Sequence, residues 1–204
     1  MEELMYHIHK KGYYDNIWKI GSKFEVGLSV NSFTEISLNF ESKILIEGVK
    51  YPFLNVYNHY KSLRDIQNQL NLLNTANDFI NEYQMLIREL GLEEVRQDTF
   101  SELPSRKHCI WLCRENQLDY WKEMLHGEFE IFKVKIFEKC FKTRNYFIPL
   151  PTDSYNTILQ QAVKYWGYSN EVENEDDEYL YIGKLEIIER NVKESKEYVF
   201  KRIV

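Results

Sequence analysis

Leu4-Met5-Tyr6-His7-Ile8-His9 alternates with a period of two, which predicts a first strand with Leu4, Tyr6 and Ile8 on one face and Met5, His7 and His9 on the other. Gly12 and Gly21 punctuate the short extended segments that follow. From Ser29 to Val56 the pattern is mixed, with a strand or loop around Ile36 to Phe40 and an extended piece at Ile44-Leu45-Ile46 closed by Gly48. The period then lengthens. Tyr60, Leu63, Ile66, Leu70 and Leu73 recur at steps of three and four, and so do Phe79, Ile80, Tyr83, Leu86, Ile87 and Leu90. The steps predict two amphipathic helices in a helical segment of about 57–92 inserted between strands, Thr75-x-x-Asp78 starting the second and Gly91 capping it.

His108 to Cys113 is apolar on both sides, the mark of a central strand. Asn116 is placed to cap a helix whose stripe is Leu118, Trp121 and Leu125, before Gly127 stops it. Phe129 to Phe137 reads as a long strand whose apolar phase changes between Ile131 and Phe132, as a bulge or bend requires. Pro149 and Pro151 break the chain, and Thr152 or Asp153 caps a helix carrying Ile158, Leu159, Ala162, Val163 and Trp166, ended by Gly167. Tyr168 to Asp177 is an acidic, mobile loop that runs into a strand from Glu178. That strand changes phase at Gly183, where Leu185 and Ile187 take over from Leu180 and Ile182. Glu189 to Lys196 is a turn and Glu197 to Val204 pairs back as a last strand. Strands bracketing a helical middle argue for one α+β domain over residues 1–204 with antiparallel pairing.

Composition narrows the class. At 204 residues and 44% apolar content the chain is long enough for a sizeable core, and it holds neither a low-complexity linker nor a fixed repeat. Met1 to Gly12 carries two Glu, two His and two Lys, and no apolar run reaches bilayer length, so a cytoplasmic protein without a membrane partner is expected. Three cysteines form no disulfide framework, and their spacing is not that of a zinc site. A formal charge of −6 disfavours a wide phosphate-gripping surface, though a local basic groove stays open.

Chemistry concentrates at three places. Glu178 shares a strand face with Leu180 and Ile182, so its carboxylate is either aimed inward or ends a solvated charge run. His7 and His9 share a strand face, but His59, His108 and His126 complete no ligand pattern, and no metal site is expected. Trp111 is either a stacking face or simple core.

Taken in chain order, Tyr6-His7, then Cys109-Ile110-Trp111-Leu112 followed by a helix, then Glu178-Tyr179-Leu180, the chain resembles the ADP-ribosyltransferase superfamily. That superfamily has a Tyr-His near its first strand, an aromatic in a Gly-Ile-Tyr-Phe-like strand and a Glu in an Asn-Glu-Tyr-Ile-like strand. The opening Tyr-His-x-x-Lys-Lys-Gly-Tyr is similar to that of a little-characterised bacterial and phage-associated subgroup. Two departures stand out: Trp111 replaces the usual Tyr, and Cys109 stands where a Gly precedes Ile110.

The resemblance implies two packed, mainly antiparallel sheets with flanking helices. It implies a glycosyltransferase that moves ADP-ribose from its substrate NAD to a macromolecular acceptor, a nucleic-acid base or a protein side chain. Such a protein would be a toxin or phage-defence effector, with an antitoxin or regulatory protein as a further partner. In this reading Glu178 is catalytic, His7 binds a ribose hydroxyl with His9 as a weaker candidate, and Trp111 stacks on nicotinamide opposite Tyr120 or Trp121. Arg106 pairs with the pyrophosphate or is a surface residue. Asp176, two residues before Glu178, lies in the loop that selects the acceptor, and Asp176 and Asp177 raise the Glu178 pKa by repulsion if they lie close. The alternative is a module on the same fold that binds NAD or ADP-ribose without chemistry. Transfer of an RNA 2′-phosphate is disfavoured by the shortage of Arg and His.

Overall fold

The computed structural model describes residues 2–10, 17–46, 49–60, 66–125 and 128–191. Strand β1 (Glu3–Lys10) pairs antiparallel with β6 (Phe129–Ile136). The other edge of β6 takes β9 (Gly183–Asn191), and β2 (Lys23–Val26) completes the order β1-β6-β9-β2. A second antiparallel sheet has the order β5-β8-β7, from β5 (Ile110–Leu112), β8 (Asp177–Tyr181) and β7 (Phe141–Arg144). A separate hairpin joins β3 (Lys43–Ile46) to β4 (Val49–Pro52). With its helices the chain is a mixed α and β structure with antiparallel sheets, as the sequence pattern predicts.

Two cores meet at β8. Met5, Trp18, Phe132, Val134, Leu185 and Ile187 of the four-stranded side pack against Leu112, Tyr179 and Tyr181 of the three-stranded side. On the far face Leu180 joins Leu92, Val95, Cys109, Ala162, Tyr165 and Trp166 beneath two helices. All five residues of β8 are buried, so its alternation sorts side chains between two cores. β6 is likewise covered on both sides, Ile131 packing with Tyr6, Cys113 and Phe129 while Phe132 faces the inter-sheet core. The apparent phase change at Ile131–Phe132 is this double burial; the irregularity of the ladder falls between Lys133 and Val134.

Helix α1 (Ser32–Leu38) replaces the strand or loop predicted at Ile36 to Phe40. Its cap explains the difference: Asn31 Oδ1 accepts from the Thr34 N–H at 2.9 Å, and Nδ2 donates to the carbonyls of Arg106 at 2.6 Å and Cys109 at 3.0 Å. After α2 (Phe53–Tyr60), the two helices predicted up to Gly91 merge into α3 (Ile66–Thr99), which runs straight through Thr75 and Gly91. Thr75 satisfies its hydroxyl on the Asn71 carbonyl at 2.9 Å. Gly91 is a close-approach residue and not a cap: a Cβ there would stand 2.6 Å from Ile158 Cγ2.

The remaining boundaries move by one or two residues. Ser154, not Thr152 or Asp153, caps α5 (Tyr155–Trp166), accepting from the Thr157 N–H at 3.2 Å, and Gly167 ends the helix as predicted. Asn116 falls in a tight turn of residues Glu115–Gln117, leaving Gln117 at the N-cap of α4 (Leu118–Met124). β5 is the edge and not the centre of its sheet, although Tyr6 and Cys113 exchange two backbone hydrogen bonds of 2.9 Å that tie it to β1. Glu189 to Asn191 continue β9 instead of turning. Gly12, Gly48, Gly127 and the strand predicted at 197–204 lie outside the described residues. Among those described, no helix is long and apolar enough to cross a membrane.

Candidate functional site

Strand alternation sends Glu178 to the face of Leu180, under α3 and α5, where it is 4% exposed. The inward reading of this carboxylate therefore holds over the solvated one. Arg106 Nη1 donates to Glu178 Oε1 at 2.7 Å, and Arg106 Nε donates to Glu89 Oε2 of α3 at 2.8 Å. The Tyr165 hydroxyl, from α5, donates to Glu178 and accepts from Arg106. Arg88 closes the outer end, its Nη2 lying 2.8 Å from Glu89 Oε1. Two carboxylates thus face two guanidiniums, and the cluster is neutral.

The electrostatics follow the pairing. Burial alone would lower the Arg106 pKa, but Glu89, Tyr165 and Glu178 together drive it well above its ordinary value. Burial pushes the Glu89 carboxyl up, yet Arg106 and Arg88 hold it below its ordinary value. Burial, opposed by Arg106 and reinforced by Glu178, pushes the Tyr165 phenol well up, so it stays a hydrogen-bond donor.

Register places Trp111 beside this cluster. Trp111 of β5 is paired with Leu180 of β8, so its ring stands on the face that carries Glu178. The Arg106 guanidinium lies 5.3 Å from the indole centroid and 5.2 Å from the Tyr165 ring, and Phe33 meets the indole edge-on at 6.0 Å. His7 reaches the same strand from β1, with Nδ1 3.0 Å from the Trp111 carbonyl. Its imidazole stacks on Trp18 at 4.3 Å and 15°. Burial, only partly offset by that carbonyl, lowers the His7 pKa to about 4, so the ring is neutral at pH 7. A neutral ring facing a carbonyl donates from Nδ1–H and keeps Nε2 as an acceptor. His9 is 6% exposed and lies 5.0 Å from Trp18.

The three residues singled out from the sequence therefore gather around β5, with a division. The indole and the Glu178 carboxylate share Arg106 on one side, while the imidazole holds the backbone of the same strand from the Trp18 side.

Several expected roles do not survive. Arg106 is neither a surface residue nor placed for a pyrophosphate, because it is 6% exposed and its donors are taken by Glu89, Glu178 and Tyr165. Tyr120 and Trp121 do not wall Trp111 from the opposite side: Tyr120 accepts from Asn145 Nδ2 at 3.1 Å, and Trp121 Nε1 donates to the Asp177 carbonyl at 3.2 Å. Asp176 and Asp177 are paired with cations of their own, away from the Arg106 cluster. Arg144 grips Asp176 through Nε at 3.0 Å and Nη2 at 2.6 Å, and Lys142 sits 3.2 Å from Asp177. The end of the acidic loop, predicted as mobile, is thereby pinned, and Asp176 with Tyr120, Arg144 and Tyr146 lines an open cleft of about 700 Å³.

Glu89, Tyr165 and Trp18 are the site residues that sequence reasoning passes over. Each looks like an ordinary member of its element; only the need of a buried guanidinium for anions hints at a Glu89. Cys109, Cys113 and Cys140 are free, and burial pushes Cys113 and Cys140 up to about 12 and Cys109 further, so none is a thiolate nucleophile at pH 7. Among the described residues no group of His, Cys, Asp and Glu is arranged to hold a metal ion. Comparison with curated proteins returns no match. The sequence profile of the family described as "Protein of unknown function (DUF2441)" matches residues 5–195, and the chain belongs to that family.

Proposed function

We propose that the chain is an NAD-dependent ADP-ribosyltransferase that moves ADP-ribose from NAD to a macromolecular acceptor, a nucleic-acid base or a protein side chain. The observation that supports it most directly is the register of β5 on β8, which sets Trp111 and Glu178 on one face of one sheet while His7 hydrogen-bonds the Trp111 carbonyl. These are the three residues on which the sequence resembles such enzymes.

The chemistry suits the groups. Breaking the bond between ribose C1′ and the nicotinamide nitrogen sends its electron pair to nicotinamide and builds positive charge on the sugar, and the acceptor then bonds to C1′ and gives up a proton. A carboxylate at the ribose stabilises that charge, and Glu178 is the candidate. Arg106 and Tyr165 fix its direction, so both act as positioning residues. His7, neutral above pH 4, offers Nε2 to a ribose hydroxyl. The Trp111 indole offers a stacking face to the nicotinamide ring.

One observation favours a second reading, a module that binds NAD or ADP-ribose without turnover: Arg106 and Tyr165 both bond the Glu178 carboxylate and compete with a ribose hydroxyl for it. Incubation with labelled NAD, followed by separation of the protein, RNA and DNA fractions, decides between them. Nicotinamide release with label on one fraction, both lost in Glu178→Gln, supports the transferase. Thermal stabilisation by NAD with no nicotinamide release sinks it and leaves the binding module.

A further inference from the structure

α3 turns an apolar stripe to solvent. Leu73, Ile80 and Ile87 recur at seven-residue steps, and Tyr83 and Leu90 lie three residues beyond the second and third of them. Their exposures are 56%, 54%, 46%, 42% and 41%. The neighbouring flank of the same helix, Leu72, Ala76 and Phe79, is already used against Phe53 and Val56 of α2, and of the stripe itself Tyr83 meets Phe40 edge-on at 5.5 Å while keeping its outer part exposed. A helix needs only one such flank to pack on its own domain. A second, repeating every seven residues with intermediate steps of three and four, is the pattern of a seam that meets another helix.

We infer that this seam is the interface of an antiparallel homodimer. Run antiparallel about a two-fold axis near residues 81 and 82, the stripe is complementary to itself: Leu73 faces Leu90 and Ile80 faces Tyr83, each pair occurring twice, with the Ile87 pair outside the central contact. Charge points to a second copy over an unlike partner. The positions beside the stripe on its free flank are Asn77, Asn81 and Gln84, all uncharged, and Arg88, which Glu89 of its own helix holds at 2.8 Å, whereas Asp78 and Glu82 lie on the far side of the helix. Between two copies of net charge −6, a line free of carboxylates is the contact with least repulsion, and this line is one. The area suffices: the five side chains with Leu70 leave on the order of 500 Å² uncovered per copy, so pairing buries on the order of 1,000 Å², the lower bound for a specific interface. The seam from Leu73 to Leu90 is roughly 26 Å long, which an ideal helix of that span requires.

The test uses the full chain. Light scattering across a micromolar concentration series should give a dimer for the wild type and a monomer for the double variant Ile80→Asp, Ile87→Asp, whose circular dichroism stays native because both positions are exposed. Mixing single variants Ile80→Cys and Tyr83→Cys under oxidising conditions should link the two proteins to each other, and neither to itself; this arm reads the geometry even if the double variant fails to fold. A wild-type monomer, a dimer indifferent to the Asp substitutions, or self-linking of Ile80→Cys would each overturn the proposal. So would a wild-type monomer that becomes a dimer when residues 192–204 are removed, which would make that segment the occupant of the stripe.

Discussion

His7, half-buried, and Glu178, buried, sit on opposite sides of β5 and are kept there by contrary means. His7 lies between Trp18 and a backbone carbonyl with its pKa lowered to about 4, so it stays inside by giving up its charge. Glu178 is bound by Arg106, which Glu89 also holds, so it stays inside with its charge matched. Desolvation decides the first and pairing the second. The difference teaches where each half is fragile. A group neutralised by burial fails gently as protons become plentiful, whereas a matched cluster fails abruptly when one partner is removed.

The comparison is broken most severely at Arg106. Arg106→Ala leaves Glu178 buried with no cation and Glu89 with Arg88 alone, and should cost about 3–5 kcal/mol in urea unfolding, while Arg106→Met combined with Glu178→Gln, which keeps the Glu89–Arg88 pair, should recover most of that loss. A single-variant cost below about 1 kcal/mol would mean the cluster is open to water and the contrast false. On the other side, Trp18→Ala removes the ring beneath His7 and part of the inter-sheet core, at about 3 kcal/mol. The same change should let the His7 pKa climb toward 6.5, read by NMR titration of the imidazole.

The pH dependence separates the halves more finely. Between pH 6.5 and about pH 4 the unfolded chain takes up a proton at residue 7 that the folded chain refuses, so His7 favours the folded state fully only above pH 6.5, and that advantage declines as pH falls to about 4. Glu89, held below its ordinary 4.5, contributes stability that is present above that value and lost as pH falls beneath it. Denaturation midpoints at pH 7 and pH 5 should therefore converge in His7→Phe and remain apart in Glu89→Gln. The smallest effect expected is Asp176→Asn, which weakens the Arg144 clamp by about 1 kcal/mol and leaves the Arg106 cluster untouched.

What the sequence disclosed follows from the range of the forces involved. Period-two alternation is local, so β1 and β8 and the face that Glu178 shares with Leu180 were legible, while whether that face is covered was not. α1 was not, because the signal that starts it is Asn31 bonding carbonyls of Arg106 and Cys109, 75 and 78 residues away. Gly91 read as a cap because nothing local distinguishes a helix end from a helix crossing. Arg106 was the hardest. Its partners Glu89, Tyr165 and Glu178 are 17, 59 and 72 residues distant, and whether a guanidinium meets a phosphate or a carboxylate depends on what tertiary packing brings to it.

One residue binds the two walls of the molecule. At Gly183, φ is +135°, and a Cβ would run into the Glu138 carboxylate; only Ile182 separates the end of β8 from the start of β9. The chain there is a single ribbon with a crease, one leaf carrying Glu178 and the other leaf carrying Leu185 and Ile187. Gly183→Ala forces the crease to open, and amide exchange should quicken on both leaves together, making the angle of one peptide the common setting for the charged pocket and the apolar filling it rests on.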